Sequence, residues 1–343
     1  MVSYLPQFLF KTTGNTLADP MKTHLKTVLA ALLSSCCLSN VYADAHQGEI
    51  ASFAELIPLV ALINNPTATI IVMDDDDTLT TMPCSQSPRL ETCQYLGGAA
   101  WYAWQSELLE KYQKQGQISD YLVAKSKQEL FEISSLLFAM SNMSYTEQDV
   151  PKVLNKLSAK GTRLMVETAR SDSDLTSTIR QFSALKSGNS DFMSTIQNSA
   201  PVFPEGNIPS LASPFNACNI PGSTPISYRQ GAMYLAGQNK GVMLKCLLNH
   251  YQDSSVAAGD ALPIKHIIFM DDTLQNVKDV YHAFKDNKQY RVHALHYTAL
   301  AKHQSDFTSG PFSDALQKQA NQRWTAIKDV LQSNLLLPSV SEK

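Results

Sequence analysis

Apolar positions along this chain switch between two periods. From Thr67 a β-branched run, TATIIVM, ends abruptly at Asp74-Asp75-Asp76-Asp77-Thr78-Leu79, the pattern of a buried strand that carries carboxylates to its C-terminal end. Further apolar runs predict strands over Thr162–Thr168, Ile226–Leu235, Ile264–Met270 and Tyr290–Tyr297. Between them apolar residues recur three and four apart. That spacing predicts helices over Phe53–Asn64, Trp101–Gln113, Ile118–Met140, Thr146–Lys160, Asp174–Leu185, Val242–Tyr251, Thr273–Phe284 and Asp314–Leu331. Strands alternating with helices predict an α/β fold built on a doubly wound, mainly parallel, Rossmann-like sheet. Residues 80–160 separate the first two strands with loop and helix, the arrangement of a helical cap inserted over the strand ends. Gly188–Pro225 is rich in Ser, Pro, Asn and Gly and has no periodicity to read.

The N-terminus adds a second layer. From Met21 the sequence has Lys22 and Lys26, an apolar run Val28–Leu33, then small residues up to Ala43, the pattern of a Sec-type signal peptide whose apolar run is too short to span a bilayer. Residues 1–20 read as an upstream extension, cleavage is expected after Ala43, and residues 44–343 form the expected domain. Leu33-Ser34-Ser35-Cys36 also fits a bacterial lipoprotein acylation site, so membrane attachment is expected only if Cys36 is lipidated. Either way the expectation is an exported protein, periplasmic or secreted. Export leaves Cys84, Cys93, Cys218 and Cys246, which allow three pairings in an oxidising compartment, with Cys84–Cys93 the expected short loop. The net charge of −3, with no basic patch or aromatic–basic interleaving, gives no sign of a nucleic-acid partner.

Three of the strands end in polar clusters: Asp74 to Thr78, Glu167-Thr168-Ala169-Arg170, and Asp271-Asp272. In a parallel sheet these ends share one edge, and Lys240, at a helix start, can reach it. If the aspartate run stays extended, Asp74, Asp76 and Thr78 project to one side, and Asp75 and Asp77 to the other. Packed carboxylates repel one another, and a bound divalent cation with oxygen ligands, Mg²⁺ above all, relieves that repulsion. A solvated acidic turn is the plainer alternative for the run taken alone.

The ordered set resembles the haloacid dehalogenase-like superfamily of aspartate-nucleophile phosphohydrolases, with a looser similarity to an exported bacterial subgroup around Gly97–Trp104. Its first motif, a strand ending Asp-x-Asp-x-Thr, matches Asp74, Asp76 and Thr78. Thr168 matches the second, Lys240 the third, and Asp271 with Asp272 the fourth. The resemblance implies that Asp74 is the nucleophile, forming an aspartyl-phosphate, and that Asp76 is the general acid and base. It further implies that Thr78, Thr168, Lys240 and Arg170 bind the phosphoryl group of a small phosphate ester. Mg²⁺ would be held by Asp74, the Asp76 backbone carbonyl, Asp271 and Asp272, with Asp272 also a possible orienter of Lys240. Arg170 has a second reading as the ion-pair partner of a carboxylate such as Asp172, and Lys245 competes with Lys240. A binding or effector protein with little catalysis, or a phosphotransferase, are the alternative functions. Trp101, Tyr102 and Trp104 are expected either to line the substrate pocket or to pack as core.

Overall fold

The computed structural model describes residues 44–84, 93–203, 214–216, 220–258 and 263–335. The expected export segment with Cys36, and Cys218, lie outside the described residues. The chain runs through β1 (Ala45–Ile50), a 3₁₀ turn, α1 (Leu56–Ile63), β2 (Thr69–Met73) and the two-residue β3 (Thr80–Thr81). Next come α2 (Ala99–Gln115), α3 (Lys127–Met140), the two-residue β4 (Ser144–Tyr145), α4 (Val150–Ser158), β5 (Arg163–Thr168) and α5 (Leu175–Ala184). A small hairpin, β6 (Lys186–Ser187) and β7 (Ser190–Asp191), leads into α6 (Phe192–Ser199). The remainder is β8 (Ser227–Arg229), β9 (Ala232–Tyr234), α7 (Lys240–Ala258), β10 (His266–Asp271), α8 (Leu274–Phe284), β11 (Arg291–Tyr297), α9 (Ala301–Thr308) and α10 (Ser313–Asn334).

Seven strands form one sheet in the order β1-β11-β10-β2-β5-β9-β8. Every pairing is parallel except the β8–β9 hairpin at one edge. All five residues of β2 are buried, which is why this central strand reads as an unbroken apolar run instead of an alternating one. Its side chains divide by parity: Ile70 and Val72 join the apolar cluster of α7 and α8, while Ile71 and Met73 join that of α1, α4, α5 and α6. Helices thus cover both faces, as the expected α/β sheet requires. Each fully buried Ile or Val contributes roughly 1.5–3 kcal/mol, so the middle of the sheet is a rigid base for the strand ends.

The helical insertion is clamped at its neck. β3 and β4 pair antiparallel, Thr80 opposite Tyr145 and Thr81 opposite Ser144, so the chain leaves the sheet and returns at one point. α2 and α3 bury Trp101, Trp104, Leu130 and Leu137 in a third cluster together with Phe307, Leu316 and Trp324 of α9 and α10. Trp101 and Trp104 are therefore core, and only Tyr102 of that aromatic trio faces a cleft. α4 behaves differently. Its Val150, Val153, Leu154 and Leu157 belong to the sheet cluster, so the helices that stand apart from the sheet end before residue 144, short of the expected 160.

Other departures have local causes. The helix expected from Ile118 begins at Lys127, because Ser126 caps it by accepting the Glu129 N–H at 3.1 Å. The preceding segment is held irregular by Gln105, whose side chain donates to the Tyr121 carbonyl and accepts from the Val123 N–H. The single strand expected over Ile226–Leu235 is a hairpin, its turn made by Gln230 and Gly231 in the left-handed region. Apolar alternation continues through that turn and hides it. β1, α6 and α9 had no clear sequence signal. A disulfide joins Cys84 to Cys93, and Cys246 is disulfide-bonded as well. Among the described residues no helix is long and apolar enough to cross a membrane.

Candidate active site

Strand β2 stops at Met73, and the aspartates that follow form a tight turn instead of an extended segment. The Asp75 carbonyl accepts the N–H groups of Leu79 (3.0 Å) and Thr80 (2.8 Å), and Asp77 takes a left-handed φ of 61°. The expected two-sided alternation is lost, since Asp75 and Asp76 both meet the same arginine. Asp74 stays in the ladder by donating its N–H to the Met270 carbonyl at 2.9 Å. That bond sets it beside the end of β10.

On one side of the turn lies Lys240, the first residue of α7 and 2% exposed. Its Nζ donates to Asp74 Oδ1 and, at 2.6 Å, to Asp271 Oδ2. Asn239 caps the helix by accepting the Val242 N–H at 3.0 Å. Gly241 lets the helix start press on its neighbour: a Cβ there would lie 2.2 Å from the Asp279 carbonyl oxygen of α8. Lys245 points elsewhere, donating to the Ala283 carbonyl, so Lys240 is the lysine of the site. Its ammonium is held above its ordinary pKa by Asp271, Asp74 and Glu167, which outweigh the opposing effect of burial.

The paired acids meet different partners. Asp271, fully buried, accepts from Lys240, from Asn276 Nδ2 on both oxygens (3.0 and 3.1 Å) and from the Thr273 N–H (2.8 Å). Its bond to Nζ holds the Lys240 side chain in place. Asp272 receives the Thr78 hydroxyl at 3.4 Å and the Gln304 amide, and among the described residues it has no lysine or arginine as ion-pair partner. Burial, Asp271 and Asp77 push its carboxyl well above the usual range. Asp74 is also raised, by burial first, with Lys240 opposing and Asp271 adding to it. Thr78 Oγ1 ties the strand ends together, accepting the Asp272 N–H at 2.9 Å and lying 3.5 Å from Asp74 Oδ2.

On the other side of the turn, Arg170 grips Asp76 through two bonds, Nε to Oδ2 at 2.9 Å and Nη2 to Oδ1 at 2.7 Å. Its Nη1 donates to Thr178 Oγ1 (2.9 Å) and Gln181 Oε1 (2.8 Å) and lies 3.1 Å from Asp75 Oδ2. Four of its five N–H groups are thereby committed within the protein. The expected phosphate ligand is instead the clamp of Asp76, and its carboxylate partners are Asp75 and Asp76, not Asp172. Asp75, fully buried, is raised to about 6 by burial, with Arg170 opposing. Thr168, at the end of β5, accepts the Arg170 N–H at 3.2 Å.

A divalent cation fits the first side. Carboxylate oxygens of Asp74, Asp271 and Asp272 lie within 4.8 Å of one another, and hard oxygen donors of this kind suit Mg²⁺. When all three are ionised they carry three negative charges against the single charge of Lys240, so a divalent cation would balance the group. The Asp76 side chain is outside that cluster, being held by Arg170. A second triad, Cys84, Cys93 and His303, has its sulfurs joined as the disulfide.

Several residues here carry no motif. Gln304 reaches Asp272 and Asp77 from α9, and the His296 ring lies 2.9 Å from the Asp272 carbonyl oxygen. Glu167 lies on β5 beside Thr168, fully buried, with neither carboxylate oxygen hydrogen-bonded. Burial holds it well above the usual range, offset in part by Lys240. Glu167 stood in the polar cluster ending its strand, and its position was the one available signal.

Residues 49–336 match the family model described as "Protein of unknown function (DUF2608)". The chain belongs to that family. No curated protein matches it. Among solved structures, this DUF2608 chain is similar to the crystal structure of cytosolic 5'-nucleotidase IIIB bound to cytidine, at 14% identity over 81% of this chain and 93% of that one, with a TM-score of 0.30. A likeness at that score bears on neither mechanism nor substrate.

Proposed function

We propose that this DUF2608 protein is a phosphohydrolase of the haloacid dehalogenase-like type, cleaving a small phosphomonoester through an aspartyl-phosphate. The observation that carries the proposal is one lysine ammonium bridging Asp74 and Asp271 at the ends of adjacent parallel strands, with Asp272 and Thr78 beside them. Asp74 attacks phosphorus as the bond to the leaving oxygen breaks, and Asp76 gives that oxygen its proton. Asp76 then takes a proton from the water that attacks the aspartyl-phosphate, releasing phosphate and restoring Asp74. Arg170 holds Asp76 in place through both steps. Lys240, Thr78 and Thr168 supply a cation and hydroxyls for the phosphoryl oxygens. Asp74, Asp272, Asp271 and the Asp76 backbone carbonyl are the groups to hold Mg²⁺, which would neutralise charge on the phosphoryl group. An exported location, with α2 and α3 as a cap over the site, completes the proposal.

One observation favours a second reading. The two-bond grip of Arg170 on Asp76 also suits a cation-binding protein whose proton donor is locked. Phosphate release from an aryl phosphate by residues 44–343, with and without Mg²⁺ and beside Asp74→Asn, separates the two. Metal-dependent release abolished by the substitution supports the enzyme. A folded, Mg²⁺-loaded protein that releases nothing from a broad panel of phosphate esters supports the binding protein.

A further inference from the structure

Above the strand ends the cleft continues as a cavity of about 250 Å³ between the carboxylates and the helical insertion. Its far wall comes from Tyr102 of α2 and from Phe131, Ser134 and Phe138 of α3. Positions 131, 134 and 138 fall on one face of a helix, so three rows of α3 are turned toward the site together. We infer that this wall selects a phosphate ester whose leaving group is a flat, uncharged ring bearing a hydrogen-bonding atom. The inference rests on the proposed phosphohydrolase reading and names the substrate class of that same site.

The rings are fixed before any ligand arrives. Phe131 meets Tyr102 with ring centroids 5.8 Å apart. Its tip abuts Gly237, where an added Cβ would lie 3.0 Å from Phe131 Cζ. Gly237 is itself placed by donating its N–H to the Ala169 carbonyl at 2.8 Å, so the loop after β9 braces the insertion's aromatic wall. Phe138 carries the Arg170 guanidinium 4.3 Å from its ring centre. A planar ring entering this space meets aromatic faces without ordering flexible side chains, which favours stacking over the binding of a chain-like alcohol.

Polar groups narrow the class further. The Ser134 hydroxyl is buried at 3% exposure and has no hydrogen-bond partner, although a serine within a helix normally donates to the carbonyl one turn back. A buried hydroxyl left unmet is costly, and a ligand atom in the cleft would satisfy it. Apart from Asp74, Asp272 and Lys240, the charged residues that line the cleft are already engaged: Asp76 is matched by Arg170, and Asp174 accepts from the Ser171 N–H and hydroxyl. Among the described residues that line this cavity, the insertion contributes no charged side chain to meet a charged leaving group.

The test compares phosphonates, which carry the anionic head but no cleavable ester, so that leaving-group reactivity plays no part. Binding of phenylphosphonate, 3-hydroxyphenylphosphonate and propylphosphonate to residues 44–343 with Mg²⁺ is measured by calorimetry. Phenylphosphonate is expected to bind about tenfold more tightly than propylphosphonate. Phe131→Leu, which keeps apolar volume but removes the ring, is expected to erase most of that preference. The hydroxyl of the third probe is expected to add a few-fold more, lost in Ser134→Ala. Tyr102→Leu serves as the second ring variant if Phe131→Leu melts early. Equal affinity for phenyl and propyl probes, or a preference that both ring variants leave intact, overturns the inference while the phosphohydrolase reading stands. A ring preference in a protein that releases no phosphate from any ester upholds the ring site and overturns the hydrolase instead. Failure of all three probes to bind overturns both.

Discussion

The two sides of the aspartate turn differ in how their charges are met. On the Arg170 side two carboxylates share a guanidinium that also bonds Thr178 and Gln181 and stacks on Phe138. On the Lys240 side a single ammonium serves Asp74 and Asp271, leaving Asp272 without a cationic partner among the described residues. One side is matched in charge and holds a side chain still. The other is short of positive charge and open to the cleft, which is where a cation and a phosphoryl group would be received.

The matched side should be the more fragile in folding. Arg170→Met leaves the buried Asp75 and the half-buried Asp76 without a counter-charge and should cost about 3–5 kcal/mol of stability, read as a lower urea midpoint whether or not Mg²⁺ is present. On the Lys240 side, where Asp74 and Asp271 also lose a buried partner, stability should fall as well, but the larger loss should be in turnover. Lys240→Met removes the cation that meets the phosphoryl oxygens and should lower kcat by about 10²–10³-fold, or about 2.7–4 kcal/mol of barrier. Equal stability losses from the two substitutions, with no larger effect of Lys240→Met on kcat, would break the contrast.

Two smaller effects sharpen it. Gly241→Ala sets a Cβ 2.2 Å from a backbone oxygen of α8, so α7 must shift, at a cost of about 1–3 kcal/mol. Because Lys240 is the preceding residue, kcat should fall with stability, whereas at Gly116, where a Cβ meets nothing within 4 Å, a comparable loss of kcat is not expected. A region remote from both sides supplies the pH baseline. His266 and His293 are lowered from their ordinary value chiefly by burial, with Arg291 and Lys265 near the first and His46 near the second. The folded state therefore favours the neutral rings. Their contribution is present above about pH 6.5 and is lost as pH falls below it, because the unfolded chain takes up the protons first. The two histidines should lower the melting temperature between pH 7.5 and 5, against the opposite contribution of the raised Asp75 carboxyl, so His293→Gln should shift the change over that window toward greater stability at pH 5 relative to the parent.

Legibility in the sequence followed from how local each signal was. β2, β10 and the acids at their ends were legible because a fully buried parallel strand writes a continuous apolar run and stops where the polar cluster begins. Lys240 was legible as the start of a helix. The partner of Arg170 was not: the carboxylate two positions away, Asp172, competes on paper with Asp76, 94 positions away, and only the packing of α5 against the turn decides it. Gln304 and Ser134 sit on amphipathic helices whose inward polar residues look, in sequence, like solvent-facing ones. The sidedness of Asp74 to Asp77 failed because the chain turns as soon as the strand ends, and the extended geometry assumed for it stops at Met73.

The most direct measurement is an acid quench of residues 44–343 turning over a ³²P-labelled aryl phosphate with Mg²⁺, followed by peptide mapping. Label is expected on the peptide containing Asp74, discharged on further incubation and absent in Asp74→Asn. Turnover that Asp74→Asn leaves undiminished, or label on another residue, would contradict an Asp74 nucleophile.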